Sequence, residues 1–106
     1  VETRIRDESA RRPVWVFKKS HRCGISHAAE EEWRAFLAGA GERDFAHVEF
    51  DVVHRRDVSQ HVAKAFAVPH ASPQILLVVG GEAVFSTSHY RITRDVLADR
   101  LAAAGT

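Results

Sequence analysis

Hydrophobic and polar positions along this chain follow two different periods, and each change of period marks the edge of an element. "VWVF" (14–17) is a short continuous run of β-forming apolar residues, opened by Pro13 and closed by polar positions, and it reads as a buried strand. Ser20 to Gly24 form a loop. Beyond it Ile25, Ala29, Trp33 and Phe36 recur at spacings of three and four, so "GISHAAEEEWRAFLAG" is expected to be an amphipathic helix of about 14 residues ending at Gly39. In "AHVEFDVV" (46–53), Val48, Phe50 and Val52 alternate with Glu49 and Asp51, the period of a second strand. Asp57 is placed to cap a second helix that carries Val58, Val62, Ala65 and Phe66 on one face and ends before Pro69. "QILLVVGG" (74–81) is a continuous apolar strand with a Gly-Gly turn, and "EAVFSTS" (82–88) returns as its hairpin partner. Thr93 caps a last helix with Val96, Leu97, Leu101 and Ala104 inward, stopped by Gly105.

The resulting order is β-α-β-α-β-β-α. A strand–helix–strand crossover followed by a hairpin and a covering helix is an α/β fold with a mixed central sheet flanked by helices. No repeat, heptad run or low-complexity segment interrupts it. With 106 residues, of which 45% are apolar and 27% charged, the chain fits one domain over residues 1–106. The polar lead-in from Val1 to Arg12 is the one segment expected to be mobile.

Charge narrows the function classes. A net charge of +1 leaves no basic excess to neutralise a row of phosphates, so nucleic acid is not an expected partner. No apolar run approaches the roughly 20 residues that span a bilayer, and the charged start has no apolar signal core. The expectation is a soluble cytoplasmic protein with no membrane partner. The histidines (His27, His47, His54, His61 and His70 among them) are scattered without zinc-like spacing, so no metal site is expected.

Cys23 is the only cysteine, which excludes an internal disulfide. Its place in the chain gives it chemistry. The reactive form of cysteine is the thiolate, and a helix start presents free N–H donors and about half a positive charge that favour the ionised sulfur. Lys18, Lys19, His21 and Arg22 precede it, so local charge acts in the same direction. A cysteine kept for packing belongs on an apolar face. Cys23 instead lies between Arg22 and Gly24 in a polar loop, which points to a nucleophile. Three places on stands Ser26 rather than a second thiol. A hydroxyl can hydrogen-bond the thiolate but cannot resolve a mixed disulfide, so an adduct on Cys23 must wait for an external thiol.

With "FKKSHRCGIS" (17–26), "VPHASPQILLV" (68–78) and "SHYRIT" (88–93), the sequence resembles the thioredoxin superfamily and, within it, the monothiol bacilliredoxins. The order of elements matches over roughly residues 13–104. The family pattern has proline after the cysteine where this chain has Gly24, a departure that loosens the helix start. The resemblance implies a thioredoxin-like fold with a cis peptide at Ser72–Pro73 facing the cysteine, which agrees with the disfavoured place of proline inside a central strand. Ser72 would offer main-chain hydrogen bonds to an extended client segment beside Pro73. His89, after the hairpin, would form a third wall of the site, and His21 and Arg22 would bind an acidic group of a small thiol. Thioredoxins carry a buried carboxylate at the position of Phe17, where it serves a second cysteine that this chain lacks.

The function implied is a monothiol thiol–disulfide oxidoreductase that removes a low-molecular-weight thiol, bacillithiol by family resemblance, from S-thiolated client proteins, with no bound cofactor. Two other readings stand beside it. "CGIS" differs by one residue from the Cys-Gly-Phe-Ser of monothiol glutaredoxins, which carry a 2Fe-2S cluster between two subunits, but "HASPQ" and "GGEAVF" do not resemble their other motifs. A thioredoxin-like redox sensor that accepts an adduct without turnover needs the same exposed thiolate.

Overall fold

The computed structural model describes residues 2–20, 24–39 and 45–104. Its elements run α1 (Glu2–Ser9), β1 (Val14–Lys19), α2 (Gly24–Gly39), β2 (Ala46–Asp51), α3 (Arg56–Ala65), β3 (Gln74–Val79), β4 (Glu82–Ser88), a single 3-10 turn (His89–Arg91) and α4 (Arg94–Ala104). The strands form one mixed sheet in the order β2-β1-β3-β4. β1 and β2 are parallel, joined across α2, whereas β3 runs antiparallel to both β1 and β4.

The two central strands are apolar on both sides because both sides are covered. Trp15, Phe17, Ile75 and Leu77 face α2 and α4, where they meet Trp33, Phe36, Leu97 and Leu101. Trp33 is the centre of that layer, with Trp15, Phe17 and Phe36 rings about it at centroid distances of 5.7 to 6.3 Å. On the other side Val14, Val16, Leu76 and Val78 meet Ile5 of α1, Val58 and Val62 of α3, and Phe66 at the end of that helix. The β3–β4 turn needs left-handed backbone at two successive residues, and Gly80 (φ 60°) and Gly81 (φ 84°) supply it without a Cβ clash.

Three sequence expectations change. The polar lead-in is not a mobile tail: residues 2–9 are helix α1, with Ile5 only 1% exposed. It is anchored at its C-terminal end, where the Ser9 carbonyl accepts from Gly80 N at 2.8 Å and Ser9 Oγ accepts from Gly81 N at 2.9 Å. β1 continues past Phe17 to Lys19, as the ladder to β2 extends that far. Asp57 does not cap α3. The helix begins one residue earlier, at Arg56, after Arg55, which makes no capping side-chain bond, and Asp57 stands in its first turn. Thr93 does cap α4, its Oγ1 accepting from Val96 N at 3.3 Å, and Glu32 of α2 takes the next free donor, Arg94 N, at 2.8 Å.

Candidate active site

The strand register collects the segments singled out by the sequence. Lys18 of β1 pairs with Phe50 of β2 on one side and Gln74 of β3 on the other, and Gln74 pairs with Ser88 of β4. One row of the sheet therefore lies next to the end of β1, begins β3 and ends β4. Continuing from that row are the segment toward Cys23, the segment arriving through Pro73, and the segment leaving through His89. The last two touch: His89 N donates to the Pro73 carbonyl at 3.1 Å. Ser72–Pro73 is a cis peptide, and His89 has left-handed backbone (φ 56°) as the chain turns out of β4.

Cys23, His21 and Arg22 lie outside the described residues. Gly24 is the first residue of α2 and Ser26 falls in its first turn, so the helix starts directly after Cys23 in the chain. α2 has no acidic residue in its first turn to neutralise the partial positive charge there. Pro73 is buried, His89 is exposed, and the Ser72 hydroxyl oxygen is buried with no hydrogen-bond partner among the described residues. Phe17 is wholly inside the aromatic layer, 5.7 Å from the Trp33 ring, so no ionisable group stands at that point of β1.

The two lysines of "FKKS" go to opposite fates. Lys19 reaches Glu49 at 3.5 Å and Glu30 at 3.8 Å. Burial works to raise the Glu49 pKa, but the Trp33 indole, Lys19 and Arg34 together outweigh it and hold the carboxyl below its usual range. Lys18 points to the other face, in line with Val14 and Val16, and is 0% exposed. Its Nζ donates to the Ser59 carbonyl at 3.3 Å, and burial lowers its pKa from 10.5 to about 8. Ser59 in turn links Lys18 to the proline segment, its hydroxyl sharing a 2.9 Å hydrogen bond with His70 Nδ1. Burial, then the charges of Lys18 and Arg56, lower the His70 pKa.

Sequence reasoning passed over the Lys18–Ser59–His70 chain. A signal for it existed, since extending the strand alternation by one step places Lys18 beside Val14 and Val16 on the inward face. Ser59 and His70 carried no such signal, because their meeting depends on how the chain leaves α3. It does so through Ala67 in left-handed backbone (φ 55°), with Val68 N bonded to the Ala63 carbonyl at 3.0 Å, a Schellman-type stop. That turn brings His70 back over the first half of the helix.

The family model described as monothiol bacilliredoxin BrxC matches residues 2–97. Among solved structures, a candidate oxidoreductase with a thioredoxin fold is 35% identical, with a TM-score of 0.77 over 92% of this chain and 82% of its own. A mutant thioredoxin from Halobacterium salinarum is 23% identical, with a TM-score of 0.70 over 98% of this chain and 85% of its own. A protein named Trxlp from Edwardsiella tarda is 18% identical, with a TM-score of 0.72 over 93% of this chain and 88% of its own. These last two speak for the fold alone. The family match runs from α1 into α4 and takes in both the lone cysteine and the cis-proline segment, and the chain accordingly belongs to the monothiol bacilliredoxins, thiol oxidoreductases of thioredoxin fold.

Proposed function

We propose that this chain removes a low-molecular-weight thiol from protein mixed disulfides by monothiol exchange at Cys23, and that the small thiol is bacillithiol. The Cys23 thiolate attacks the small-molecule sulfur of the mixed disulfide. That S–S bond breaks, the client cysteine leaves as a thiolate, and the small thiol is now disulfide-bonded to Cys23. A second small thiolate then attacks the small-molecule sulfur of this adduct, releasing Cys23 as thiolate and a symmetrical small disulfide. Electrons balance without a bound cofactor. The exchange draws on a pool of reduced small thiol, which fits a cytoplasmic setting; no helix among the described residues is long and apolar enough to cross a membrane.

The observation that carries this reading is the row at the sheet edge, from which the segment toward the only thiol, the Ser72–Pro73 cis peptide and His89 all depart. Ser72 is assigned to pair its backbone with an extended client strand beside the cis peptide. His89, exposed and tied by its backbone to Pro73, borders that strand. Ser26, in the first turn of α2, is assigned to hydrogen-bonding the thiolate, with Gly24, His21 and Arg22 around it.

Intact mass after mixing the reduced chain with a bacillithiolated client tests the proposal. Transfer of one bacillithiol to Cys23 with release of free client thiol is the expected result. An adduct formed from oxidised bacillithiol but never from the client would overturn it in favour of a sensor.

A further inference from the structure

Beside the row just described, on the α3 face of the sheet, a cavity of about 390 Å³ is lined by Val52, Val53, Arg56, Ser59, Gln60 and His70. Among the described residues no carboxylate lines it. Its basic members are Arg56, which is charged, and the imidazole of His70, and the buried Lys18 ammonium stands behind Ser59, whose carbonyl it touches and whose hydroxyl meets His70. Arg56 is exposed and has no ion-pair partner among the described residues. The nearby lysine that could have been neutralised, Lys19, is turned to the opposite face and paired with Glu49 and Glu30. Asp51, next to Val52 in the chain, turns its carboxylate to the Val53 and His54 amides at 2.8 and 3.4 Å. Asp57 follows Arg56 in the first turn of α3 but is not part of the lining. Arg56 and His70 thus line the space with the Lys18 ammonium behind Ser59, and none of the described lining residues is an anion.

Position links the cavity to the exchange site. Val52 N bonds the Lys19 carbonyl at 2.9 Å, which fixes one wall to the end of β1, and Lys18 precedes Cys23 by five residues. His70 precedes the Ser72–Pro73 peptide by two, which fixes the other wall to the client segment. Val52 and Val53 add an apolar side suited to the carbon skeleton of a small ligand. A buried lysine is retained here on a strand face otherwise filled by valine, at a cost in stability that an apolar residue would avoid.

We propose that this cavity is an anion subsite that holds a carboxylate of the low-molecular-weight thiol while its sulfur exchanges at Cys23. Arg56 and His70 contact the carboxylate, Ser59 orients His70, and Lys18 supplies positive charge from behind. The inference rests on the exchange reading given above for the location of the sulfur, but the subsite itself can be tested without exchange. The probe is S-methylglutathione, a dicarboxylate thioether that cannot form a disulfide, titrated into the reduced full chain and followed by amide NMR. Signals of Arg56, Ser59, Gln60 and His70 are expected to shift together, the diethyl ester of the same probe is expected to leave them in place, and Arg56→Gln should weaken binding about tenfold. Equal shifts with acid and ester, shifts confined to other residues, or unchanged affinity in Arg56→Gln would overturn the subsite. Mass-detected exchange with the bacillithiolated client, run in parallel, keeps the two failures apart: exchange without these shifts removes only the subsite, and shifts without exchange remove only the thiol-transfer reading.

Discussion

Lys18 carries an ammonium group into a layer of valines, and its energetics are legible in one number, a pKa brought from 10.5 down to about 8 by burial. Between those values the unfolded chain holds the proton more tightly than the folded one, so stability rises with pH across the window. Below pH 8 the folded state bears the whole cost of the buried charge. Lys18→Met should therefore unfold at higher urea than the parent at pH 7, by about 1–3 kcal/mol, with the gap shrinking as pH climbs toward 10. Equal stabilities at pH 7 would mean that the ammonium is better solvated than its burial implies. At the proposed nucleophile, Cys23→Ser should abolish release of small thiols from modified protein while leaving the far-UV circular dichroism unchanged. Residual release by that variant would move the chemistry elsewhere. Ser26→Cys supplies the missing resolving thiol three residues on, and mild oxidation should then remove two hydrogens from the intact mass. A mass left unchanged would show that position 26 does not face the thiol.

At the scale of elements, α1 is the one that tertiary contacts make. Its eight residues include a single apolar side chain, Ile5, and a lone apolar residue does not form a stripe. What holds it is Ile5 packed between β3 and α3, the Arg6 guanidinium over the Phe66 ring at 5.4 Å, and Ser9 bridging to the Gly80–Gly81 turn. Ile5→Ala is expected to cost about 2–4 kcal/mol in urea denaturation. A loss below about 0.5 kcal/mol, the level of a surface change, would return residues 2–9 to the status of a tail. The other helices were readable because their apolar positions recur with the helical period. Their exact starts were less so: Thr93 fulfils its capping geometry, whereas Asp57 has the right chemistry two positions after Arg55, the residue at the N-cap.

In the whole molecule, one sheet separates two apolar layers, and both tryptophans lie in the same one, under α2 and α4. Because β1 and β3 contribute alternate residues to each layer, neither layer can come apart without exposing the strands that hold the other. Tryptophan fluorescence and far-UV circular dichroism should then report a single coincident urea transition. A circular dichroism change that precedes the fluorescence change would mean that α1 and α3 melt from the sheet on their own. The same sharing of strands explains the placement of the site. Hydrogen-bond register aligns Lys18, Gln74 and Ser88, and whatever follows or precedes those residues in the chain is delivered to one edge.

The sequence by itself determined the strands from β1 to β4, the three helices with an apolar period, and the residue types of the candidate site: a single thiol ahead of a helix, a serine where a second thiol would stand, and a proline at the mouth of a strand. Those features are local, fixed by side-chain period and by the chemistry of one residue type at one spacing. Tertiary structure alone decided that a polar octapeptide is a helix, since its stability comes from Ile5 and Ser9 meeting residues of α3, β3 and the Gly80–Gly81 turn, all distant in the chain. It also decided that adjacent lysines serve different ends. Successive residues of a strand point to opposite faces, so Lys19 finds carboxylates on one side, while Lys18 is buried on the other beneath Ser59 and His70, which no spacing in the sequence brings together.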